Sequence, residues 1–222
     1  TDHGLLNAIG LQGPGIEGFL TDVLPRLQTL GVPLWVSVGG FSAPDFTLVC
    51  ERLDDEDAVA TIELNLSCPN VDEAPETAAE LVAAARGATS KAPYAKLSPA
   101  QPDVAGSARA VAAAGADGLS LVNTIRGLAL DPRTLRPRLE RGAGGYSGPA
   151  LRPIALAAVW ACASAVDLPI VGMGGVSTGS DALELVAVGA SAVALGTILF
   201  ADPGAPARIR EELGTAARDR GL

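Results

Sequence analysis

Short, nearly continuous apolar runs alternate along this chain with longer stretches of helical periodicity. The runs are residues 33–38 (PLWVSV), 60–66 (ATIELNL), 94–97 (YAKL), 118–122 (GLSLV), 169–172 (PIVG) and 192–195 (AVAL). Apolar on both faces and four to seven residues long, they read as strands buried inside a parallel sheet. Between them, residues 16–30, 43–57, 76–89, 103–114, 150–165, 180–188 and 206–213 place Ala, Leu and Val at helical intervals, as in Phe19, Leu20, Val23, Leu24, Leu27 and Leu30. Ser42-Ala43-Pro44, Ser180-Asp181 and Pro203-Gly204-Ala205-Pro206 are expected helix starts, and Gly115 and Gly189 are expected just past helix ends.

Six strands, each followed by a helix, predict a β/α architecture with right-handed crossovers and a parallel sheet. AAAGADGLSLV and AVGASAVALGT write one helix–glycine–strand junction twice, which suggests an internal βα period. An open doubly wound sheet and a (β/α)8 barrel both satisfy this pattern. No GxGxxG follows the first strand, polar residues recur at strand carboxyl ends, and glycine turns follow the last two strands; these features favour the barrel. A full barrel needs eight strands, and six are legible.

Composition narrows the chemistry. The 222 residues carry 16 Lys and Arg against 25 Asp and Glu, a formal charge of −9, with 48% apolar and 18% charged residues. An acidic chain without a basic cluster argues against nucleic acid as partner. No apolar run approaches the length that spans a bilayer, and three scattered cysteines fit a reducing, cytoplasmic setting. One histidine, His3, leaves little room for a histidine base or a multi-histidine metal site. The chain opens on Thr1 without a methionine, as expected of a processed start or part of a longer protein.

Polar residues cluster at the strand ends. Asn65-Leu66-Ser67-Cys68-Pro69-Asn70 sets a thiol between two carboxamides where proline stops a strand. Carboxamides can grip a planar amide or imide, and a thiol serves as base or nucleophile once its pKa falls; the alternative is a small buried hydrophobe between turn formers. Cys50 and Cys162 sit inside helical patterns and read as core. Lys96 ends an apolar strand, where burial demands an anion or a polar cofactor unless the side chain snorkels at the rim. Asn123-Thr124 ends the next strand. The turns at Ser147-Gly148-Pro149, Gly172-Met173-Gly174-Gly175 and Gly196-Thr197 let backbone N–H groups and helix N-termini approach a phosphate.

Taken together, NAIGLQ (7–12), ELNLSCPN (63–70), AKLSP (95–99), VNT (122–124), SGPA (147–150), GMGGV (172–176) and LGT (195–197) resemble the dihydroorotate dehydrogenases across essentially the whole chain. The likeness is to the class 1 enzymes with a cysteine base, and within them to the catalytic subunit of the NAD-linked type. It implies an FMN-binding TIM barrel, here about six of its eight βα units, that oxidises dihydroorotate to orotate in UMP biosynthesis. By this resemblance Cys68 is the general base and hydride passes to FMN. Asn7, Ala8, Ile9, Gly10, Leu11, Asn65, Asn70, Asn123 and Thr124 fall at substrate positions. Asn65, Lys96, Val122, Gly148, Gly174, Gly175, Gly196 and Thr197 fall at cofactor positions, with Lys96 beside the flavin pyrimidine ring. The resemblance also implies a homodimer and an iron–sulfur/FAD electron-transfer subunit, whose cluster this chain's own cysteines lack the spacing to hold.

The sequence departs from the family in three places. The family's barrel begins about sixty residues upstream of NAIGLQ, with two strands and a second lysine. The stretch CPNVDEAPETAAE is shorter than in relatives, which predicts a gap in the catalytic loop near Ala74-Pro75. Ser37 stands where relatives carry Asn. Two other readings remain at this point: a related FMN-dependent enzyme for another dihydropyrimidine, and a non-catalytic barrel fragment acting as a binding module.

Overall fold

The expectation of strands buried on both faces holds for Val59–Asn65, Gly118–Leu121 and Ile170–Met173, whereas Leu34–Val38 and Ala192–Ala194 are partly exposed, Trp35 and Ser37 among the exposed residues, and the alanine-rich stretches between the strands bury one stripe each. The computed structural model describes residues 4–66 and 77–222. In chain order the elements are β1 (Leu5–Asn7), α1 (Gly15–Gly18), a π-turn (Phe19–Val23), α2 (Leu24–Gln28), β2 (Leu34–Val38), α3 (Ala43–Asp54), β3 (Val59–Asn65), α4 (Ala78–Ala88), β4 (Ala92–Leu97), α5 (Val104–Ala113) and β5 (Gly118–Leu121). There follow β6 (Ile125–Gly127), β7 (Gly144–Ser147), a 3-10 turn (Pro149–Leu151), α6 (Arg152–Ala163), β8 (Ile170–Met173), α7 (Gly179–Ala187), β9 (Ala192–Ala194), a second 3-10 turn (Thr197–Phe200) and α8 (Ala205–Arg218).

All six expected core strands form, within two residues of their sequence limits. The helix expected over residues 16–30 forms with an interruption. Pro25 has no N–H for the ladder, and the chain re-registers just ahead of it, Leu24 N–H donating to Phe19 C=O across five residues. Ser42 starts α3 and Gly204 starts α8. The start expected at Ser180-Asp181 lies earlier, at Thr178, whose hydroxyl accepts from Asp181 N–H while the Asp181 carboxylate accepts from Thr178 N–H. Gly115 and Gly189 turn at φ +102° and +114°.

The chain divides into two compact units. One comprises Ile9–Lys96 and Arg109–Leu119. Here β2, β3 and β4 pair in parallel, with Val38 opposite Leu64 and Asn65 opposite Lys96. Phe46, Cys50 and Leu53 of α3, Ile62 and Leu64 of β3, and Val82 and Ala85 of α4 are all buried to 1% exposure or less and form its core. Thr77 and Glu80 close a capping box at the start of α4.

The other unit comprises Thr1–Ala8, Leu97–Ala108 and Ser120–Leu222. Its β8 and β9 are parallel, and the end of β5 joins them as Val122 N–H donates to Met173 C=O. Leu121, Leu151, Ala155, Val159, Ile170 and Leu185 are buried there. This unit also carries an antiparallel sheet in the order β1-β7-β6 that the apolar pattern did not show. Its strands are three or four residues long, too short for alternation to register. Among the described residues, no helix is long and apolar enough to cross a membrane.

Candidate active site

In the unit of β2–β4, the strand ends carry Ser37, Glu63, Asn65 and Lys96. Alternation puts Glu63 and Asn65 on one face of β3, and parallel register sets Asn65 opposite Lys96. The anion that the half-buried Lys96 requires belongs to the protein: its Nζ lies 3.0 Å from Glu63 Oε1. Glu63, 8% exposed, was not among the expected site residues. A carboxylate inside the apolar run ATIELNL was the available signal, the same anomaly as Lys96 one strand away.

Ser37 and Asn65 also line a pocket of about 420 Å³ together with Gly10, Leu11 and Gln12. Gly10 turns at φ +77°, and Leu11 packs on Gly39, where an added Cβ would stand 2.8 Å from Leu11 Cδ2. Ile9 points outward at 62% exposure. Loop residues Gly10 to Gln12 and the strand ends at Ser37 and Asn65 thus share one pocket. Cys68, Asn70 and the join at Ala74-Pro75 lie outside the described residues.

In the unit of β8 and β9, Asn7 pairs with Gly145 across β1 and β7, its Nδ2 donating to Gly145 C=O at 3.4 Å. Gly145 leaves no room for a Cβ because Thr124 Oγ1 occupies that place. Asn7 and Thr124 therefore meet over one glycine, on the sheet that the sequence pattern missed. Asn123 turns its Oδ1 onto Thr124 N–H at 2.8 Å, the turn-forming role its position allowed. Ala8 follows β1 and is half-buried.

The three glycine turns converge in this unit. Gly148 (φ +118°) opens the turn into α6, and Gly174 and Gly175 turn at φ +125° and +79°. A Cβ on Gly175 would stand 2.8 Å from Arg152 N and 2.9 Å from Gly148 O. Thr197 Oγ1 donates to Ser147 Oγ at 2.7 Å. Gly196 is exposed, with open space where a Cβ would stand. Val122 is buried, and Ser120 Oγ, two residues earlier, is buried without a hydrogen-bond partner among the described residues.

One expectation is corrected here: the helix dipoles do not all serve the cradle. Around the start of α7, Ser177 and Thr178 N–H donate to Asp181 Oδ2 and Gly179 N–H to Glu212 Oε2. Only a four-residue 3-10 turn follows Gly196. These carboxylates satisfy the start of α7 from within the protein.

Two thiols elsewhere are fully buried. Burial pushes Cys50 and Cys162 each up to about 11, against an ordinary 9.0.

Parallel strands each followed by a helix, with polar and glycine-rich turns at their carboxyl ends, are features of a β/α class of protein. The dihydroorotate dehydrogenase profile matches residues 1–216. The dihydroorotate dehydrogenase B (NAD(+)) catalytic subunit of Geobacter sulfurreducens is 44% identical over 229 aligned residues, covering all of this chain and 75% of that one. The same subunit of Citrifermentans bemidjiense is 45% identical, covering 96% and 72%. A Solibacter usitatus relative, 42% identical, carries the name of the fumarate-linked A type. A crystal structure of the Eimeria tenella dihydroorotate dehydrogenase with ferulenol superposes with a TM-score of 0.80 over 99% of this chain and 69% of that one; at 22% identity it speaks for the fold.

The chain belongs to the dihydroorotate dehydrogenase family, in its class 1 B-type branch. Its fold is accordingly a partial TIM barrel, not an open doubly wound sheet. The family is one of flavin-dependent oxidoreductases that oxidise dihydroorotate in pyrimidine biosynthesis, and the reading as an enzyme for another dihydropyrimidine is not favoured.

Proposed function

We propose that this chain oxidises dihydroorotate to orotate using FMN, as the catalytic subunit of an NAD-linked enzyme. The family match carries the reading, and the residues described fit the cofactor. The cradle of Gly174, Gly175, Gly196 and Thr197 offers backbone N–H groups and paired hydroxyls to a phosphate, and Ser120 keeps an unused buried hydroxyl near Val122. Bound FMN supplies the hydride acceptor.

The protein's own residues do the rest. Cys68, as thiolate, takes the proton from ring carbon 5. Asn7, Asn65, Asn70, Asn123 and Thr124 grip the ring amides and the carboxylate, donating and accepting as only carboxamides and hydroxyls can. The backbone of Ala8, Ile9, Gly10 and Leu11 shapes the wall beside them. Lys96 faces the flavin pyrimidine ring as its cation, and Val122 and Gly148 pack against the flavin. Electrons leave through a partner subunit bearing FAD and an iron–sulfur cluster, the chain pairs with a second copy of itself, and the enzyme works in the cytoplasm.

The test is anaerobic reduction of the FMN-reconstituted chain by dihydroorotate, read as bleaching of the flavin absorbance, with dihydrouracil as comparison. Bleaching by dihydroorotate alone is expected, and Cys68→Ala is expected to abolish it while FMN stays bound. Bleaching by dihydrouracil alone would reassign the substrate. A colourless chain that takes up no FMN would make it a binding module.

A further inference from the structure

The ion pair between Glu63 and Lys96 is a built feature of β3 and β4. Thirty-three residues separate them, yet Nζ and Oε1 are 3.0 Å apart. Both side chains are largely withdrawn from water, with relative exposures of 20% for Lys96 and 11% for Glu63. Among the described residues neither has another ion-pair partner. A carboxylate and an ammonium in such surroundings interact far more strongly than a surface pair, and each is costly to strip of the other.

We infer that Glu63 is a positioning residue that sets, through Lys96, how much positive charge the protein presents to the flavin. The inference rests on the proposed place of Lys96 beside the flavin ring. A lone ammonium there would act on the flavin with its full charge. Glu63, on the neighbouring strand two residues before Asn65, takes one of its donors and offsets part of that charge. The flavin is thereby held less oxidising than Lys96 alone would make it, which favours onward release of electrons. Glu63 touches neither substrate nor flavin in this account and is not a catalytic residue.

Sulfite provides a readout apart from turnover. It adds through sulfur to flavin N5, giving an anionic adduct that a nearby cation stabilises. FMN-loaded wild type, Glu63→Gln, Glu63→Asp and Lys96→Met would be titrated with sulfite, following loss of flavin absorbance. Glu63→Gln is expected to bind sulfite about tenfold more tightly than wild type, because the ammonium remains and its counter-charge does not. Glu63→Asp, one methylene short of the ammonium, is expected to fall between them, and Lys96→Met to bind sulfite more weakly than wild type. A purely structural pair would lower thermal stability in all variants and leave sulfite affinity unmoved. If Lys96→Met shifts sulfite affinity while Glu63→Gln and Glu63→Asp stay within twofold of wild type, the role of Glu63 is overturned. If Lys96→Met is silent as well, the placement of Lys96 beside the flavin fails, and the inference with it. Should Glu63→Gln not fold, the order of Glu63→Asp, wild type and Lys96→Met decides alone.

Discussion

The Tyr94 ring occupies the space that a side chain at residue 118 would need: an added Cβ on Gly118 would overlap Tyr94 Cε1. Tyr94 cannot easily retreat, because its ring lies 4.6 Å from that of Trp35, tilted by 58°. Gly118→Ala is therefore expected to destabilise the protein by about 1–3 kcal/mol through overpacking. Urea denaturation measures this, and a loss below about 0.5 kcal/mol would mean that the ring gives way.

Thr197 and Ser147 join two of the glycine turns by one hydrogen bond of 2.7 Å. Thr197→Val removes the donor and a hydroxyl available to phosphate. FMN affinity is expected to fall about tenfold, as for loss of a hydrogen bond to a charged group, while riboflavin affinity stays unchanged. Equal losses for both flavins would place the hydroxyl away from the phosphate.

Thiol reactivity separates the three cysteines. Cys50 and Cys162 are fully buried, and burial holds both near 11, so at about pH 8 neither supplies much thiolate. Native protein is expected to react with one equivalent of a thiol reagent, at Cys68 by peptide mapping, and with three only after unfolding. Rapid modification of Cys50 or Cys162 in the native state would contradict their burial.

Asp54 gives stability an acid limit. Its carboxylate accepts from Thr89 Oγ1 at 2.5 Å and from Ser90 N–H at 2.6 Å, tying the end of α3 to the turn between α4 and β4. These bonds, that of Thr89 first, lower its pKa from 3.8 to about 2. A carboxyl depressed in the folded state stabilises above its unfolded value and loses that contribution as pH falls through its folded value. Stability is thus expected to drop between pH 3.8 and about 2. Asp54→Asn should flatten part of that slope, read from urea midpoints across the window, and an unchanged slope would exclude Asp54 as its source.

Much of this was legible in the chain. The six core strands show as short apolar runs, most clearly at β3 and β5, where burial of both faces leaves ATIELNL and GLSLV. The candidate residues Asn65, Lys96 and Gly174-Gly175 show because each breaks a local rule: a carboxamide where a strand stops, a charge in an apolar run, two glycines after a strand. The sheet β1-β7-β6 did not show, since three-residue strands gain their stability from partners far along the chain and leave no period of their own. The Glu212 carboxylate at the start of α7 stayed hidden for a related reason, because it reaches Gly179 from 33 residues away.

By itself the sequence determined the parallel β/α alternation and marked Cys68 and Lys96 as candidates for chemistry, because periodicity, composition and charge burial are local or summed properties. Tertiary structure alone decided which anion Lys96 meets, that Asn7 and Thr124 share one glycine, and that Thr197 is joined to Ser147. Those depend on register between strands and on turns brought together from distant segments, and contacts of that kind are fixed only when the whole chain packs.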